Sequence, residues 1–401
     1  MGTLVSRRAL LVVALVVMGS LVLAACGGSD STSSSSSGSE SSGASSTVSE
    51  EGGESSESGE SESGTALVPE PPTEPPTEIP ITEPLKSKPP KKNVIWLACG
   101  LPACQGYLSA GYKNSAAALG WGFEQINYET LKAADGVQQA LNKNPDYIFI
   151  TGIPPAAFEA QAKEAIQKEI PIFSGFDTTP PEPEKNGLYT QYANYPDYEA
   201  AKQITDWVIN DSGGKANMVT VVIPEYPILT AEVEAIEAEF EANCPECSLD
   251  EIPVTVEDIG EGKVTNKIVA FLQSHPDVDY IEFTFGDLSA GVYSALQAAG
   301  LNEKVKLVGV QANKPVADEL AKGNVAAWAS QAQEFAGWLS MDAAARLAVG
   351  MPLEKYEETG GLPTYVNVGP EAGEALLEDP EGEWPGPEGF QEQFEELWQV
   401  K

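Results

Sequence analysis

Short apolar segments alternate with segments of helical pattern from Asn93 onward, and this alternation limits the possible folds more than any other feature of the sequence. Strands that are continuously apolar are buried on both faces, as in parallel sheets covered by helices. The alternation therefore predicts right-handed βαβ units. The predicted strands are 94–98, 122–128, 147–151, 171–175, 218–223, 279–285 and 305–310, and the predicted helices are 108–119, 156–168, 197–209, 231–242, 263–273, 289–299, 315–321 and 335–349.

The predicted elements form two series, one before about residue 180 and one that starts near Met218. A body of about 280 residues is too large for one open sheet of this type. We therefore predict an α/β fold with two doubly wound parallel-sheet lobes. Since ligands of open α/β sheets bind at the carboxyl ends of the strands, the binding site is expected in a cleft between the lobes.

The N-terminus has the three parts of an export signal. Arg7 and Arg8 supply positive charge, residues 9–23 are almost entirely apolar, and small residues precede Cys26. This pattern predicts a signal peptide over residues 1–25 that is removed from the mature protein. An uncleaved membrane helix is the alternative, because the apolar run is nearly long enough to span a bilayer.

The sequence Leu23-Ala24-Ala25-Cys26-Gly27 resembles the lipobox of bacterial lipoproteins. The resemblance implies that Cys26 becomes the N-terminal residue and carries a diacylglycerol anchor, since two acyl chains hold a protein stably on a membrane. It also implies a location on the outer face of the cell membrane.

Residues 26–92 are predicted to be a disordered tether that begins at the lipidated cysteine. Residues 27–64 consist almost entirely of Ser, Gly and Glu, which cannot bury enough apolar surface to offset the entropy of ordering. Residues 69–90 are rich in proline, which favours extended and stiffer chain.

Several segments of the body occur in the order found in a known family. They are Leu-Ser-Ala-Gly-Tyr at 108–112, Asp-Tyr-Ile-Phe-Ile at 146–150, Ser-His-Pro-Asp-Val-Asp-Tyr at 274–280 and Lys-Leu-Val-Gly-Val at 306–310. Together they resemble the type I periplasmic solute-binding proteins of the ribose and galactose branch, over roughly residues 93–370.

The resemblance implies a three-segment hinge, with crossings between the lobes near residues 194, 330 and 360. The implied divisions are an N-terminal lobe of 93–194 with about 330–358, a C-terminal lobe of 195–329 with about 359–372, and an acidic tail of 373–401.

The resemblance also implies function. Members of the family close over a small solute and deliver it to the permease of an ABC importer, without a cofactor and without enzymatic activity. A monomer is expected. Two alternatives remain: a ligand-sensing lipoprotein that signals to a membrane partner, and a secreted hydrolase.

The expected ligand-binding residues follow predicted strands or match positions of the family. They are Gln105, Tyr107, Phe176, Asp177, Tyr226, Asp287, Gln311, Asn313 and Gln331. Several depart from the sugar-binding pattern, which usually places an Asp-Arg pair where this chain has Phe176-Asp177. Gln331, in contrast, matches the family's glutamine in the last crossover. The ligand is therefore expected to be a sugar, a sugar-like molecule or another small polar or aromatic solute.

Each of these residues also has a purely structural interpretation. Asp and Asn favour turns and the N-terminal caps of helices. Aromatic residues at strand ends serve equally well in core packing or in stacking on a ligand.

Four cysteines remain if Cys26 is acylated, an even number in an exported protein. We favour two local disulfides, Cys99–Cys104 and Cys244–Cys247, although the sequence permits three pairings. A zinc site built from all four thiolates and a redox-active CxxC motif are the alternatives.

Charge and composition exclude several functions. The chain of 401 residues has 23 Lys and Arg against 60 Asp and Glu, a formal charge of −37, which disfavours nucleic acid as a partner. His275 is the single histidine, so histidine catalysis and histidine-rich metal sites are not expected. No nucleophile elbow, phosphate-binding loop or dinucleotide fingerprint occurs.

The tail from Glu371 is acidic, yet its aromatic residues predict a strap packed on the body.

Overall fold

Two α/β sheets form the body of the protein in the computed structural model, which describes residues 66–192, 198–353 and 361–401. The strands are β1 Asn93–Ala98, β2 Gly122–Asn127, β3 Tyr147–Thr151, β4 Ile172–Gly175, β5 Leu188–Tyr192, β6 Asn217–Val222, β7 Ser248–Pro253, β8 Tyr280–Phe283, β9 Lys306–Val310, β10 Ala327–Gln331 and β11 Thr364–Val368. The helices are α1 Gly106–Leu119, α2 Ala133–Asn142, α3 Glu159–Gln167, α4 Pro183–Asn186, α5 Glu199–Asp211, α6 Pro227–Asn243, α7 Val256–Gly260, α8 Val264–Ser274, α9 Val292–Ala299, α10 Lys314–Ala321, α11 Gln333–Ala348, α12 Gly369–Leu376 and α13 Phe390–Leu397.

The first sheet belongs to the N-terminal lobe and has the order β2-β1-β3-β4-β5, with all neighbouring strands parallel. Its central strand β3 is buried at every position, because Tyr147–Thr151 presents apolar or β-branched side chains to both faces. Edge strand β2 is mostly exposed.

The second sheet belongs to the C-terminal lobe and has the order β11-β10-β9-β8-β6-β7. Its strands are parallel except for β11, which runs antiparallel to β10. These two sheets confirm the predicted α/β fold of two parallel-sheet lobes.

The chain passes between the lobes three times. After β5 of the first sheet, α5 packs on the second sheet, at β9, β10 and β11. After β10 of the second sheet, α11 packs on α1 and β4 of the N-terminal lobe, and the chain then returns as β11. The crossing expected near residue 194 and the one expected near 360 fall in 193–197 and 354–360, which lie outside the described residues.

Two glycines bring α1 and α11 into backbone contact. A Cβ at Gly111 would lie 2.2 Å from the carbonyl oxygen of Glu334, and a Cβ at Gly337 would lie 2.5 Å from the amide nitrogen of Tyr112. Since real Cβ atoms do not approach other atoms this closely, only glycine permits the crossing. The contact fixes the N-terminal end of α11 against the first lobe.

The proline-rich segment differs from the prediction. Residues 66–92 were expected to belong to a disordered tether, but they lie against both lobes. Val68 exchanges hydrogen bonds with the Asn210 side chain, and the Pro72 carbonyl accepts from the amide of Val366 in β11. Further along, Leu85 is 1% exposed in the core of the N-terminal lobe. The prediction failed because it counted the prolines and missed the apolar residues between them, whose burial offsets the cost of ordering.

The C-terminal tail packs on α11 through its aromatic side chains, as its pattern predicts. Phe390, Phe394 and Trp398 are fully buried, and the Trp398 ring stacks on Trp338 with centroids 5.3 Å apart.

A buried ion pair of α11 joins the tail to the proline-rich segment. Arg346 Nε donates to Asp342 Oδ2 at 2.6 Å, and Trp398 Nε1 donates to the other carboxylate oxygen at 2.7 Å. Arg346 Nη2 also donates to the carbonyl of Glu83 at 2.6 Å. One helix of the N-terminal lobe therefore holds both the proline-rich segment and the C-terminal tail.

Two classes of feature are absent from the described part of the chain. It contains no helix long and apolar enough to cross a bilayer, and no group of three or more His, Cys, Asp or Glu side chains that could hold a metal ion. The apolar run at 9–23 and Cys26 lie outside the described residues.

We expect Gly337→Ala to destabilise the protein, because the new methyl group must push α1 and α11 apart. Overpacking of this kind costs about 1–3 kcal/mol of unfolding free energy, measured by urea denaturation. Gly260→Ala is the control, since nothing lies within 4 Å of the position that its new methyl group would take; an equal loss in both variants would contradict the backbone contact.

Candidate functional site

A cavity lies between the two sheets, where the carboxyl ends of their strands meet. The N-terminal lobe lines it with Cys99, Leu101, Cys104, Leu108, Thr151, Gly152 and Phe176, and the C-terminal lobe lines it with Tyr226, Ile228, Leu229, Thr284, Phe285 and Gln311. Tyr198 and Gln333, which stand beside the first and second crossings, complete the wall. The space open to the centre of a water-sized sphere is about 70 Å³. This is the place where ligands bind in open α/β sheets.

The two lobes touch at one side of the cavity. Tyr226 of the C-terminal lobe donates its hydroxyl hydrogen to Thr130 Oγ1 of the N-terminal lobe at 2.9 Å. The Tyr226 ring also packs against Gly152, where a Cβ would lie 3.1 Å from Cδ1. Gly152 has a φ of +72°, so glycine suits both the backbone and the ring contact. The lobes are therefore in contact across the cleft.

Two wall residues adopt a backbone conformation that is unfavourable for their type. Phe176 follows β4 of the first sheet with a φ of +51°, and Gln311 follows β9 of the second sheet with a φ of +58°. Left-handed backbone at residues other than glycine costs roughly 1–3 kcal/mol and is concentrated at functional sites. The strained residues face one cavity from opposite lobes, which supports its assignment as a binding site.

Gly286 makes the conformation of Gln311 possible. The Gly286 amide donates to the Gln311 carbonyl at 3.2 Å, and a Cβ at Gly286 would lie 2.6 Å from that carbonyl oxygen. The close approach of the two loops therefore places Gln311 in the wall.

The first disulfide supports the loop after β1. Cys99 and Cys104 are bonded with a Cα–Cα distance of 5.4 Å, and both line the cavity. Gln105 Nε2 donates to the Cys99 carbonyl at 3.0 Å and holds the loop from its other side. The structure also pairs Cys244 with Cys247, away from the cavity wall.

Of the nine residues that the sequence suggests as ligand contacts, three line the cavity together: Phe176, Tyr226 and Gln311. The others have partners within the protein. Asn313 caps α10 by accepting from the amide of Val316 at 3.2 Å, and Gln331 Nε2 donates to the Tyr198 hydroxyl at 3.1 Å.

The two candidate carboxylates do not line the cavity. Asp177 is 2% exposed and accepts hydrogen bonds from the Ser174 hydroxyl and the Thr179 amide at 3.1 and 2.9 Å, which is the turn-forming role of aspartate. Burial raises the pKa of its carboxyl, against the opposing effect of these donors. Asp287 accepts from Asn313 Nδ2 at 2.8 Å.

Tyr107 contributes to a contact outside the cavity. Its hydroxyl donates to the Asp379 carboxylate in the segment between α12 and α13. This hydrogen bond joins α1 of the N-terminal lobe to the C-terminal tail.

Sequence reasoning missed several wall residues. Thr151 ends β3, and Thr284 directly follows β8. The rule that polar residues at strand ends face the cleft, which selected Asp177, would therefore also have found them. Tyr198 and Gln333 gave no such signal. They line the cavity because the chain crosses between the lobes beside them, and the sequence does not show where those crossings lie relative to the cavity.

Gln333 is the wall residue with the clearest unused hydrogen-bonding capacity. It begins α11 and is 3% exposed, and its buried Nε2 has no hydrogen-bond partner among the described residues. An unpaired buried donor costs about 1–3 kcal/mol, so this amide favours an acceptor brought by a ligand.

The described wall of the cavity carries no charged side chain. Its tyrosines are neutral at physiological pH, as unperturbed tyrosines are, and burial raises the pKa of Tyr226 to about 12 and that of Tyr198 as well. The cavity therefore offers apolar surface, aromatic rings and uncharged amide and hydroxyl groups.

Comparison with known proteins agrees with this architecture. A model of the periplasmic binding protein domain family matches residues 106–352. No curated protein matches the sequence.

Solved structures share the fold at low sequence identity. A glucose-galactose binding protein from Geobacillus stearothermophilus is 20% identical, with a TM-score of 0.57 over 65% of this chain and 92% of its own. A protein from Mycobacterium smegmatis in complex with β-D-fucofuranose is 16% identical, with a TM-score of 0.59 over 77% and 98%. A 5-methylthioribose transporter solute-binding protein from Thermotoga lettingae is 14% identical, with a TM-score of 0.60 over 80% and 100%. The family and these structures represent binding proteins and not enzymes, in agreement with the prediction.

A buried pair of carboxyl groups lies in the C-terminal lobe near Tyr198. Glu232 of α6 and Glu282 of β8 are both 0% exposed, and Thr220 donates its hydroxyl hydrogen to Glu282. Burial raises the pKa of Glu282 to about 8. Burial, followed by repulsion from Glu282, raises the pKa of Glu232 well above its usual value. The pair is therefore stable only while it retains protons.

The raised pKa values predict that alkaline pH destabilises the protein. The two carboxyl groups keep their protons in the folded state, whereas in the unfolded state they lose them near pH 4.5. Their contribution to the unfolding free energy is therefore complete below that pH and is lost as the pH rises through about 8. We expect Glu232→Gln with Glu282→Gln to flatten the fall in unfolding free energy between pH 5 and 8, measured by urea denaturation. Glu237→Gln, on the exposed side of α6, should leave the slope unchanged. An unaltered slope in the double variant would refute the assignment.

Proposed function

Because this chain belongs to the family of periplasmic binding protein domains, we propose that it is an extracytoplasmic substrate-binding protein of an ABC importer. It captures a small solute in the cleft between its lobes and delivers that solute to the permease. The observation that carries the proposal is the cavity lined by strand ends of both sheets, with the Tyr226–Thr130 hydrogen bond joining the lobes at one side of it.

Capture requires the lobes to part and to close again. We propose that the three crossings between the lobes form the hinge, of which the described residues include the one near residue 330. Hinge closure around ligands is a known mode of domain motion. Opening breaks the hydrogen bond between Tyr226 and Thr130, and closure re-forms it around the solute. A ligand that contacts both lobes binds the closed form more tightly than the open form, and this difference in affinity stabilises the closed form.

The N-terminal features support a location at the membrane. We propose that Cys26 carries the lipid anchor after removal of residues 1–25, and that the Ser-, Gly- and Glu-rich segment separates the body from the bilayer. The body acts as a monomer, and the negative charge of the chain, −37 over the whole sequence, keeps it from adhering to anionic lipid. The permease is the protein partner.

The uptake of a ligand tests the transport function. A solute that binds the folded, full-length protein in detergent raises its melting temperature by mass action, and this rise identifies the ligand. We expect a strain without this protein to take up that solute, radiolabelled, at least about tenfold more slowly at concentrations below saturation, since capture supplies the permease. Expression of the protein from a plasmid should restore uptake.

The same experiment separates transport from sensing. Normal uptake in the deletion strain, together with a lost transcriptional or signalling response to the solute, would contradict delivery to an importer and favour a ligand-sensing lipoprotein.

The anchor is tested by Cys26→Ala. We expect this variant to move from the membrane fraction to the soluble extracytoplasmic fraction, because the acceptor of the acyl chains is gone. Cys247→Ala, which removes a cysteine of the C-terminal lobe, should leave the protein in the membrane fraction. Retention of the Cys26 variant on membranes would contradict lipidation and favour an uncleaved membrane helix.

A further inference from the structure

We propose that the cleft selects a compact, uncharged ligand with a mainly apolar surface and a hydrogen-bond acceptor that pairs with Gln333 Nε2, and that it discriminates against hydroxyl-rich sugars. The inference rests on the proposed function, because it takes the interlobe cavity to be the ligand site.

The wall of the cavity is mostly apolar. Six of its side chains are aliphatic or phenylalanine: Leu101, Leu108, Phe176, Ile228, Leu229 and Phe285. Contact with such a wall removes apolar ligand surface from water, and each Å² removed contributes roughly 25 cal/mol. A ligand gains from this wall in proportion to its own apolar area.

A charged ligand would enter without a counter-charge. No charged side chain is among the described wall residues. Asp177 and Asp287, the two carboxylates that the sequence suggests as ligand contacts, lie outside the wall and accept hydrogen bonds from Ser174, Thr179 and Asn313. Since burial of an unpaired charge is strongly unfavourable, the cleft disfavours both cations and anions.

Three hydroxyl groups of the wall each make one hydrogen bond within the protein. Thr284 Oγ1 donates to the Val221 carbonyl at 3.0 Å, and Tyr226 donates to Thr130. The Tyr198 hydroxyl accepts from Gln331. A sugar needs a partner for each of several hydroxyls, and each buried group left unpaired costs about 1–3 kcal/mol. We expect a hydroxyl-rich ligand to leave some of its hydroxyls unpaired against the apolar part of this wall.

Gln333 supplies the polar contact that orients the ligand. Its unpaired Nε2 is buried in the wall, and its backbone is fixed by the crossing of α1 and α11 at Gly111 and Gly337. A donor held in place before binding loses little entropy when it pairs. One carbonyl or ether oxygen on the ligand satisfies it.

The volume of the cavity limits the size of the ligand. Its volume of about 70 Å³ is less than the roughly 150 Å³ of an apolar cavity that holds benzene. A six-membered ring therefore requires the lobes to part slightly and fills the cleft when bound.

Four probes built on a six-membered ring test the proposal on the full-length protein in detergent. They are cyclohexanone, which is neutral with one acceptor, piperidine, which is cationic at neutral pH, cyclohexanecarboxylate, which is anionic, and glucose, which is rich in hydroxyls. We expect cyclohexanone to bind at least about tenfold more tightly than the other three, measured by calorimetry or ligand-observed NMR.

Gln333→Leu tests the orienting contact. We expect it to weaken cyclohexanone binding about tenfold and to leave the stability of the ligand-free protein unchanged or higher, because it removes an unpaired buried donor. A merely structural glutamine would instead lower stability. Gln297→Leu, at an exposed position of α9 away from the cavity, is the matched control and should change neither measurement.

The outcomes separate this inference from the proposed function. Tighter binding of glucose, piperidine or cyclohexanecarboxylate than of cyclohexanone would overturn the inference and leave the binding-protein function intact. Equal binding of cyclohexanone to the Gln333→Leu variant and the unmodified protein would also overturn it. If none of the four probes binds, the inference fails, while the uptake experiment still decides the proposed function.

Discussion

The backbone contact between α1 and α11 is the constraint on which the rest of the structure depends. The chain leaves the second sheet after β10 and must return to the first lobe, and Gly111 and Gly337 let α11 lie directly on α1. The position of α11 then determines where Gln333 enters the cleft. Farther along the same helix, the buried pair of Asp342 and Arg346 holds the proline-rich segment and the C-terminal tail. One glycine-mediated crossing thus links the lobes, the site, the proline-rich segment and the C-terminal tail.

The site combines backbone strain with an apolar wall. Phe176 and Gln311 hold unfavourable φ values at equivalent positions, one strand end in each lobe. The conformation of Gln311 is held by Gly286, whose amide donates to the Gln311 carbonyl. Such a wall is shaped before the ligand arrives, so binding costs less conformational entropy. The hydrogen bond between Tyr226 and Thr130 is weak enough, at about 1 kcal/mol net, to break when the lobes part.

Strands and helices with strong patterns were predictable, and weaker ones were not. All seven of the strands given above occur, whereas β7, β10 and β11 were not predicted. Strand β7 was missed because Ser248–Pro253 is half polar and lies at a sheet edge. Helix α2 was missed because Gly136 and Asp135 weaken its pattern, although Val137, Ala140 and Leu141 are buried. The proline-rich segment was predicted to be free because its prolines outnumber its few apolar residues, and composition does not reveal that Leu85 is buried in the core.

The sequence by itself determined the α/β class, the two lobes and the general position of the cleft, because these follow from local periodicity and from the direction of parallel strands. Tertiary structure alone decided which polar side chains face the cleft. Asp177, Asn313 and Gln331 occupy positions that suit a ligand, yet each forms a hydrogen bond within the protein. Gln333 remains unpaired in the wall because a helix crossing from the other lobe brings it there. Hydrogen-bond partners distant in sequence compete for each polar group, and only the packed chain selects among them.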